Sequence, residues 1–251
     1  MSEKFLKNPN LPSNKVTMVF ANIDDFALKR VFDELSVKVV GVAQSELLDP
    51  PVSKHADILA NYIGNNIFLA DKCQAELIEF VKSNGGIIKT IYSVKSPYPN
   101  DCLLNFADIG DYIICNRAIL PQEILEILSK KRIIDVKQGY SKCSVCIVKH
   151  NTIITDDISI HNAVSQYDDI KSLLVQKGSV SIAKYDYGFI GGCCGLIAQN
   201  LLLFNGDLST HTDFDKIKKF LYDNGVNYID IKGKPLTDIG SIIPITEKDG
   251  E

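Results

Sequence analysis

The chain has 251 residues, 45% hydrophobic and 23% charged, an ordinary balance for a folded protein long enough to bury a sizeable core. A formal charge of -4 argues against nucleic acid as the main ligand, and no basic run or interleaved aromatic stripe offsets it. No apolar run approaches the roughly 18 to 20 residues that span a bilayer, so no membrane partner is expected.

In chain order, residues 1–15 are polar and proline-punctuated and read as a loose arm or edge segment. Val16 to Phe20 is a short apolar strand. Asp24 or Asp25 can cap a helix from Phe26 to Leu35, with Leu28, Val31, Phe32 and Leu35 on one face. Val37 to Val42 is a continuous apolar strand, and the Pro50-Pro51 loop delivers the chain to His55. Ile58 to Tyr62 and Asn66 to Ala70 flank a Gly64-Asn65 turn. A helix then runs from Gln74 to Ser83, closed by Asn84-Gly85-Gly86, and Ile87 to Ile91 returns as a strand.

Further along, Asn151 to Thr155 leads into a weaker helical pattern at Ser159 to Gln176. The last full unit has strands at Gly195 to Ala198 and Leu201 to Phe204. Its helix runs from Phe214 to Asp223 behind an Asp213 cap, and Tyr228 to Ile231 returns. Ser241 to Ile245 is a further strand, which completes a unit only if it joins the strand, helix and strand at 16–42.

The same plan therefore recurs about every 40 to 50 residues, the spacing at which repetition sets the architecture. Each unit opens on polar residues: His55-Ala56-Asp57, Asn100-Asp101-Cys102, Lys142-Cys143-Ser144, Gly192-Cys193-Cys194 and Asp238-Ile239-Gly240-Ser241. Read as strand openings, alternation places His55 and Asp57 on one side. Openings converging on one axis would bring His55, Asp57, Asp101, Cys143 and Asp238 together. A thiol, an imidazole and several carboxylates are the parts for covalent catalysis at a cationic carbon.

These residues resemble those of the pentein fold, the αβ-propeller of the guanidine-group-modifying enzymes such as arginine deiminase, dimethylarginine dimethylaminohydrolase and the amidinotransferases. His55-Ala56-Asp57 is similar to that group's His-x-Asp opening. Gly139-Tyr140-Ser141-Lys142-Cys143 is similar to its Gly-x-x-Thr-Cys nucleophile turn, and Asp238-Ile239-Gly240-Ser241 to its Glu-Gly-Gly-Asp opening. The whole chain resembles a bacterial branch of the fold, typified by Tyr187-Gly188-Phe189-Ile190-Gly191-Gly192 and Asp238 to Pro244. Membership of that branch supplies no activity by itself.

The resemblance implies an α/β fold, a pseudo-fivefold ββαβ propeller in one domain over 1–251. The order His55, Cys143, Asp238 makes it circularly permuted relative to the usual enzymes. It also implies a cysteine-dependent hydrolase or transferase acting on a small guanidino or ureido compound through a covalent thiouronium, with Cys143, His55 and Asp238 catalytic and no cofactor. Asp57, Asp101, Lys142, Gly192, Cys194 and Ser241 are the expected substrate-binding residues. Lys142 departs from the pattern: a cation stands where a guanidinium would bind. It must swing away, lower the thiol pKa, or bind a substrate carboxylate.

Other readings stand beside these. The same fold serves as a non-catalytic binding module in the ribosome anti-association factor, and the vicinal pair Cys193-Cys194 would suit a thiol- or redox-regulated protein. Cys194 is a second candidate nucleophile. Cys73, Cys102, Cys115 and Cys146 sit in apolar patterns that suit core packing. Cys143-x-x-Cys146 is a single pair, with no second pair to complete a zinc set, so no metal is expected. His211 and Asp213 are better explained by helix capping. Seven cysteines, an odd number set mostly in apolar runs, and an opening without the apolar core of a secretory signal lead to the expectation of a cytoplasmic protein with reduced thiols. The sequence sets no oligomeric state.

Overall fold

Five times along the chain, an antiparallel strand pair shares a small sheet with a third strand that runs parallel to the second. The structure is a computed structural model and describes residues 3–64, 66–70, 74–90 and 94–249. Strand β1 (Glu3–Phe5), strand β2 (Val16–Ala21), helix α1 (Phe26–Glu34) and strand β3 (Lys38–Gly41) come first. A one-turn helix α2 (Ala56–Leu59) precedes β4 (Ala60–Ile63), β5 (Asn66–Leu69), α3 (Ala75–Ser83) and β6 (Ile87–Thr90).

The next unit is β7 (Ala107–Asp108), β8 (Tyr112–Cys115), α4 (Gln122–Leu128) and β9 (Arg132–Asp135). Strands β10 (Val145–Lys149) and β11 (Thr152–Thr155), helix α5 (Ile158–Val164) and β12 (Lys171–Leu174) follow. The last complete unit is β13 (Cys194–Ala198), β14 (Leu201–Phe204), α6 (Phe214–Asp223) and β15 (Asn227–Asp230). Strand β16 (Ile243–Lys248) then inserts between β1 and β2, so the sheet order is β1-β16-β2-β3. Both ends of the sequence thus build one sheet, as the split fifth unit predicts.

Each crossover helix buries one pair four residues apart: Leu28 and Phe32, Leu77 and Val81, Ile124 and Leu128, Ile160 and Val164, Ile217 and Leu221. Side chains so spaced lie on one face, and burying each contributes about 1.5–3 kcal/mol. The helix predicted over Ser159 to Gln176 is shorter than the pattern implied. It ends at Val164, and Lys171–Leu174 is the returning strand. The segment expected as a loose arm or edge supplies the edge strand β1, and Ser13 and Asn14 donate their N–H groups to Glu247 at 2.6 and 2.8 Å. The predicted turn residue Asn65, the strand end Ile91 and the core residue Cys73 lie outside the described residues. Among the described residues no helix is long and apolar enough to cross a membrane.

The unit openings are turns, where strands were expected. His55 O accepts from Ile58 N and Leu59 N, Ser144 N donates to Tyr140 O, and Gly192 N donates to Phe189 O. A helical turn of this length carries no periodicity, so the pattern passes for the start of the strand behind it. Contacts run from each turn to another. Asn105 Nδ2 donates to Asp57 O at 3.0 Å, and Lys142 N and Cys143 N donate to Asn105 Oδ1. Gly191 packs so closely on the Cys143 and Val145 carbonyls that a Cβ would collide with them. Ser241 N donates to Gly192 O, and Asp57 N donates to Gly240 O, which returns the chain of contacts to its start.

Candidate active site

Three of the nine singled-out residues open onto one cavity of about 280 Å³: His55, Cys143 and Asp238. They are the three expected to be catalytic. Their elements explain the meeting. His55 occupies the N-cap position of the one-turn helix α2, Cys143 lies in the turn before β10, and Asp238 lies in the turn before β16.

Cys143 Sγ donates to Asp57 Oδ2 at 2.9 Å and accepts from Asn105 Nδ2 at 3.3 Å. Ser241 Oγ lies 2.6 Å from the same Asp57 oxygen, and Lys142 Nζ donates to Ser241 Oγ at 3.0 Å. One serine hydroxyl therefore bridges the buried ammonium and the buried carboxylate. Asp57 Oδ1 has no partner among the described residues. Burial pushes the Asp57 carboxyl above its ordinary value, opposed by His55 and Lys142.

Asp238 is fixed from both sides: Gly240 N donates to Oδ1 and Phe189 N to Oδ2, each at 2.9 Å. Burial still raises its carboxyl to about 6. His55 Nδ1 stands 3.8 Å from Asp238 Oδ1, beyond a hydrogen bond but well within electrostatic range. Desolvation lowers the His55 pKa, with Asp57 opposing, so the resting imidazole is neutral near pH 7. Gly240 (φ +75°) supplies the left-handed turn under His55, and a Cβ there would strike the imidazole.

The resting thiol reverses one expectation. Lys142 was a candidate for lowering the Cys143 pKa, yet the thiol is pushed well above its ordinary value. Burial is the main cause, and the Asp57 and Asp238 carboxylates add to it. Lys142 is drawn off to Ser241 and borders a separate void of about 10 Å³ beside Cys194, not the main cavity.

None of the six expected substrate-binding residues lines the cavity. Asp57 lies behind the thiol, and Ser241 and Lys142 behind Asp57. Asp101 is turned away, its Oδ2 accepting from Tyr140 Oη at 2.7 Å. Gly192 is a spacer: a side chain there would collide with the Asp238 carboxylate. Cys194 faces inward, its Sγ and that of Cys193 lying 3.3 and 3.2 Å from Ile190 O. Cys146 is buried with Val148 and Ile154 in the core. His211 Nδ1 accepts from Asp213 N at 3.0 Å, and Asp213 pairs with Lys216 Nζ at 2.6 Å. Both lie outside the cavity lining.

Sequence reasoning passed over Asn105, whose amide holds Asp57 O, Cys143 Sγ and two backbone N–H groups. Its signal was there, as a polar interruption of the apolar run Cys102 to Phe106. It also passed over the aromatic wall of Tyr140, Tyr185, Tyr187 and Phe189. His55, Asp57 and Cys143 each offer a ligand atom within 4.8 Å of the others, enough for a metal ion as well as for proton transfer. Asp57 and the thiol are already hydrogen-bonded to each other, which suits the second use.

Solved structures with the same fold include the inosamine-phosphate amidinotransferase of Streptomyces griseus, at TM-score 0.60 and 9% identity, with 98% of each chain covered. The amidinotransferase SxtG of Microseira wollei, from a saxitoxin biosynthetic pathway, aligns at TM-score 0.56 and 9% identity over 91% of this chain and 90% of that one. DDAH of Pseudomonas aeruginosa, in complex with citrulline, aligns at TM-score 0.54 and 10% identity over 86% and 92%. These likenesses place the chain in the pentein fold. No curated protein matches the sequence. A family model matches residues 22–243, and the chain belongs to that family, described as a family of unknown function (DUF6873).

Proposed function

We propose that the protein is a cysteine-dependent enzyme acting on the guanidine or amidine carbon of a small molecule. Its five units would form a pseudo-fivefold propeller, one domain over 1–251, circularly permuted relative to the usual pentein enzymes. The observation that carries the reading is that the Cys143 thiol, the His55 imidazole and the Asp238 carboxylate share one cavity. The neighbouring pentein enzymes bear names that refer to guanidino chemistry, which supports the same reading.

A guanidinium cation docks against Asp238, whose fixed carboxylate pairs with its N–H fork. The cation offsets the two carboxylates that hold the thiol proton on, so the Cys143 S–H ionises toward Asp57 Oδ2, its existing acceptor. The thiolate forms the C–S bond. His55 relays the displaced proton to the departing nitrogen as the C–N bond breaks, leaving a thiouronium. Water then attacks the same carbon, His55 takes its proton, and the C–S bond breaks to return the thiol and a ureido product. With an amine in place of water, the same steps transfer the amidino group.

The test is mass spectrometry of the protein after incubation with guanidino and amidine compounds. An adduct on the Cys143 peptide, absent from Cys143→Ala, supports the proposal. No adduct and no turnover with any member of the panel removes it. The neutral resting thiol favours a second reading, a non-catalytic module that binds the same cations in the same cavity. Binding without any covalent adduct would select it.

A further inference from the structure

Beyond the three reacting groups, the cavity is walled by rings and aliphatic chains. Most of the remaining lining comes from one stretch of chain, as Ile182 and Tyr185 to Phe189. Phe189 stacks at a tilt on Tyr140 with ring centroids 6.1 Å apart, and Tyr187 meets Phe189 edge-on at 6.2 Å. The wall is pinned: Gly188 N donates to Val180 O at 2.7 Å, and Phe189 N to Asp238 Oδ2. The Tyr140 hydroxyl is spent on Asp101, so what that residue adds to the lining is its ring. Lys177 Nζ already stands 5.7 Å from the centre of the Tyr187 ring, within the range of cation–π attraction.

The charge of the lining has one sign. Asp238 lies deep and Asp186 at the exposed rim, and no lysine or arginine lines the cavity among the described residues. The buried ammonium of Lys142, a candidate for holding a substrate carboxylate, is engaged with Ser241 outside it. A carboxylate on the ligand would meet aromatic rings and two like charges, with no lysine or arginine in the lining to pair with it. Apolar tails lose nothing there.

We infer that the ligand of this cavity is a guanidine or amidine carried on an apolar alkyl or aryl tail, and that compounds bearing a carboxylate, free arginine included, are excluded. This rests on the proposed function and narrows its substrate class.

Calorimetric titration of the Cys143→Ser protein separates binding from chemistry. Its probes are butylguanidine and 4-guanidinobutanoate, matched in length but not in charge, together with benzamidine and L-arginine. Butylguanidine and benzamidine are expected to bind at least about ten-fold more tightly than the carboxylate-bearing partners. Tyr187→Ala, at a position already 37% exposed and so tolerant of truncation, is expected to weaken benzamidine by about three- to ten-fold. Equal or tighter binding of 4-guanidinobutanoate and arginine overturns the inference and leaves the proposed function standing. Failure of all four compounds to bind overturns the proposed function, and the inference with it.

Discussion

Cys143 Sγ and Asp57 Oδ2 stand 2.9 Å apart with the thiol as donor, so the resting nucleophile is paired with the one kind of neighbour that holds its proton on. In the resting protein, alkylation of Cys143 by iodoacetamide is therefore expected to be slow at neutral pH and to rise only above the ordinary thiol range. Asp57→Asn should lower the apparent thiol pKa, because it removes one of the two carboxylates that hold the proton on. Peptide mass spectrometry across a pH series reads both. A wild-type thiol that titrates below free cysteine would sink this account of the electrostatics.

Asn105 ties three of the five openings with one amide. Asn105→Ala deletes bonds to two buried N–H groups and one buried carbonyl. A loss of about 2–4 kcal/mol in unfolding free energy is expected by urea titration. A loss under about 1 kcal/mol would show that these turns hold their places without it.

Gly192→Ala puts a methyl group into the Asp238 carboxylate. Asp238 must leave its bonds to Phe189 N and Gly240 N, so cation binding should fall by about ten-fold or more while the protein stays folded at about 1–3 kcal/mol lower stability. Calorimetry and denaturation together test it. Unchanged affinity in a folded Gly192→Ala protein would remove Asp238 from the binding role.

Asp156, 4% exposed, has an oxygen without a partner among the described residues, and burial raises its carboxyl to about 7. A carboxyl raised on folding binds its proton more tightly in the native state. Its contribution to stability is therefore greatest below the unfolded value near 4 and is lost as pH climbs to about 7. Asp238 acts in the same direction up to about 6. His55, lowered on folding, acts oppositely: the native state loses stability as pH falls below about 6.5. Asp156→Asn keeps an oxygen for Ile190 N and should cancel on the order of 2 kcal/mol of the decline between about pH 5 and pH 8. Wild type and variant with parallel pH profiles would refute the assignment.

Much of the framework could be read from residue order because burial on one face leaves a period. The pairs Leu28 with Phe32 and Ile217 with Leu221 mark helices, and the runs at Val16 and Leu201 mark strands. That His55, Cys143 and Asp238 would come near one another was legible because polar residue types recur at the same place in the units. What failed was direction. Lys142 and Cys143 are adjacent, and only the geometry of their turn sends one to Ser241 and the other to the cavity. The wall from Ile182 to Phe189 escaped for the opposite reason. It is an exposed loop, and aromatic residues without a period give no sign of what they face.

Thr17 and Thr246, 229 positions apart, join hydroxyl to hydroxyl at 2.8 Å where β16 lies against β2. During synthesis the four units between the ends can each assemble from neighbouring residues, but β2 must wait for almost the whole chain before it gains its antiparallel partner. The wait extends to the cavity, because Asp238 and Ser241 arrive with the same late segment. A nascent chain therefore carries its cysteine and histidine long before it carries the carboxylate and hydroxyl that govern them, and competence arrives in one step, as the ends are zipped together.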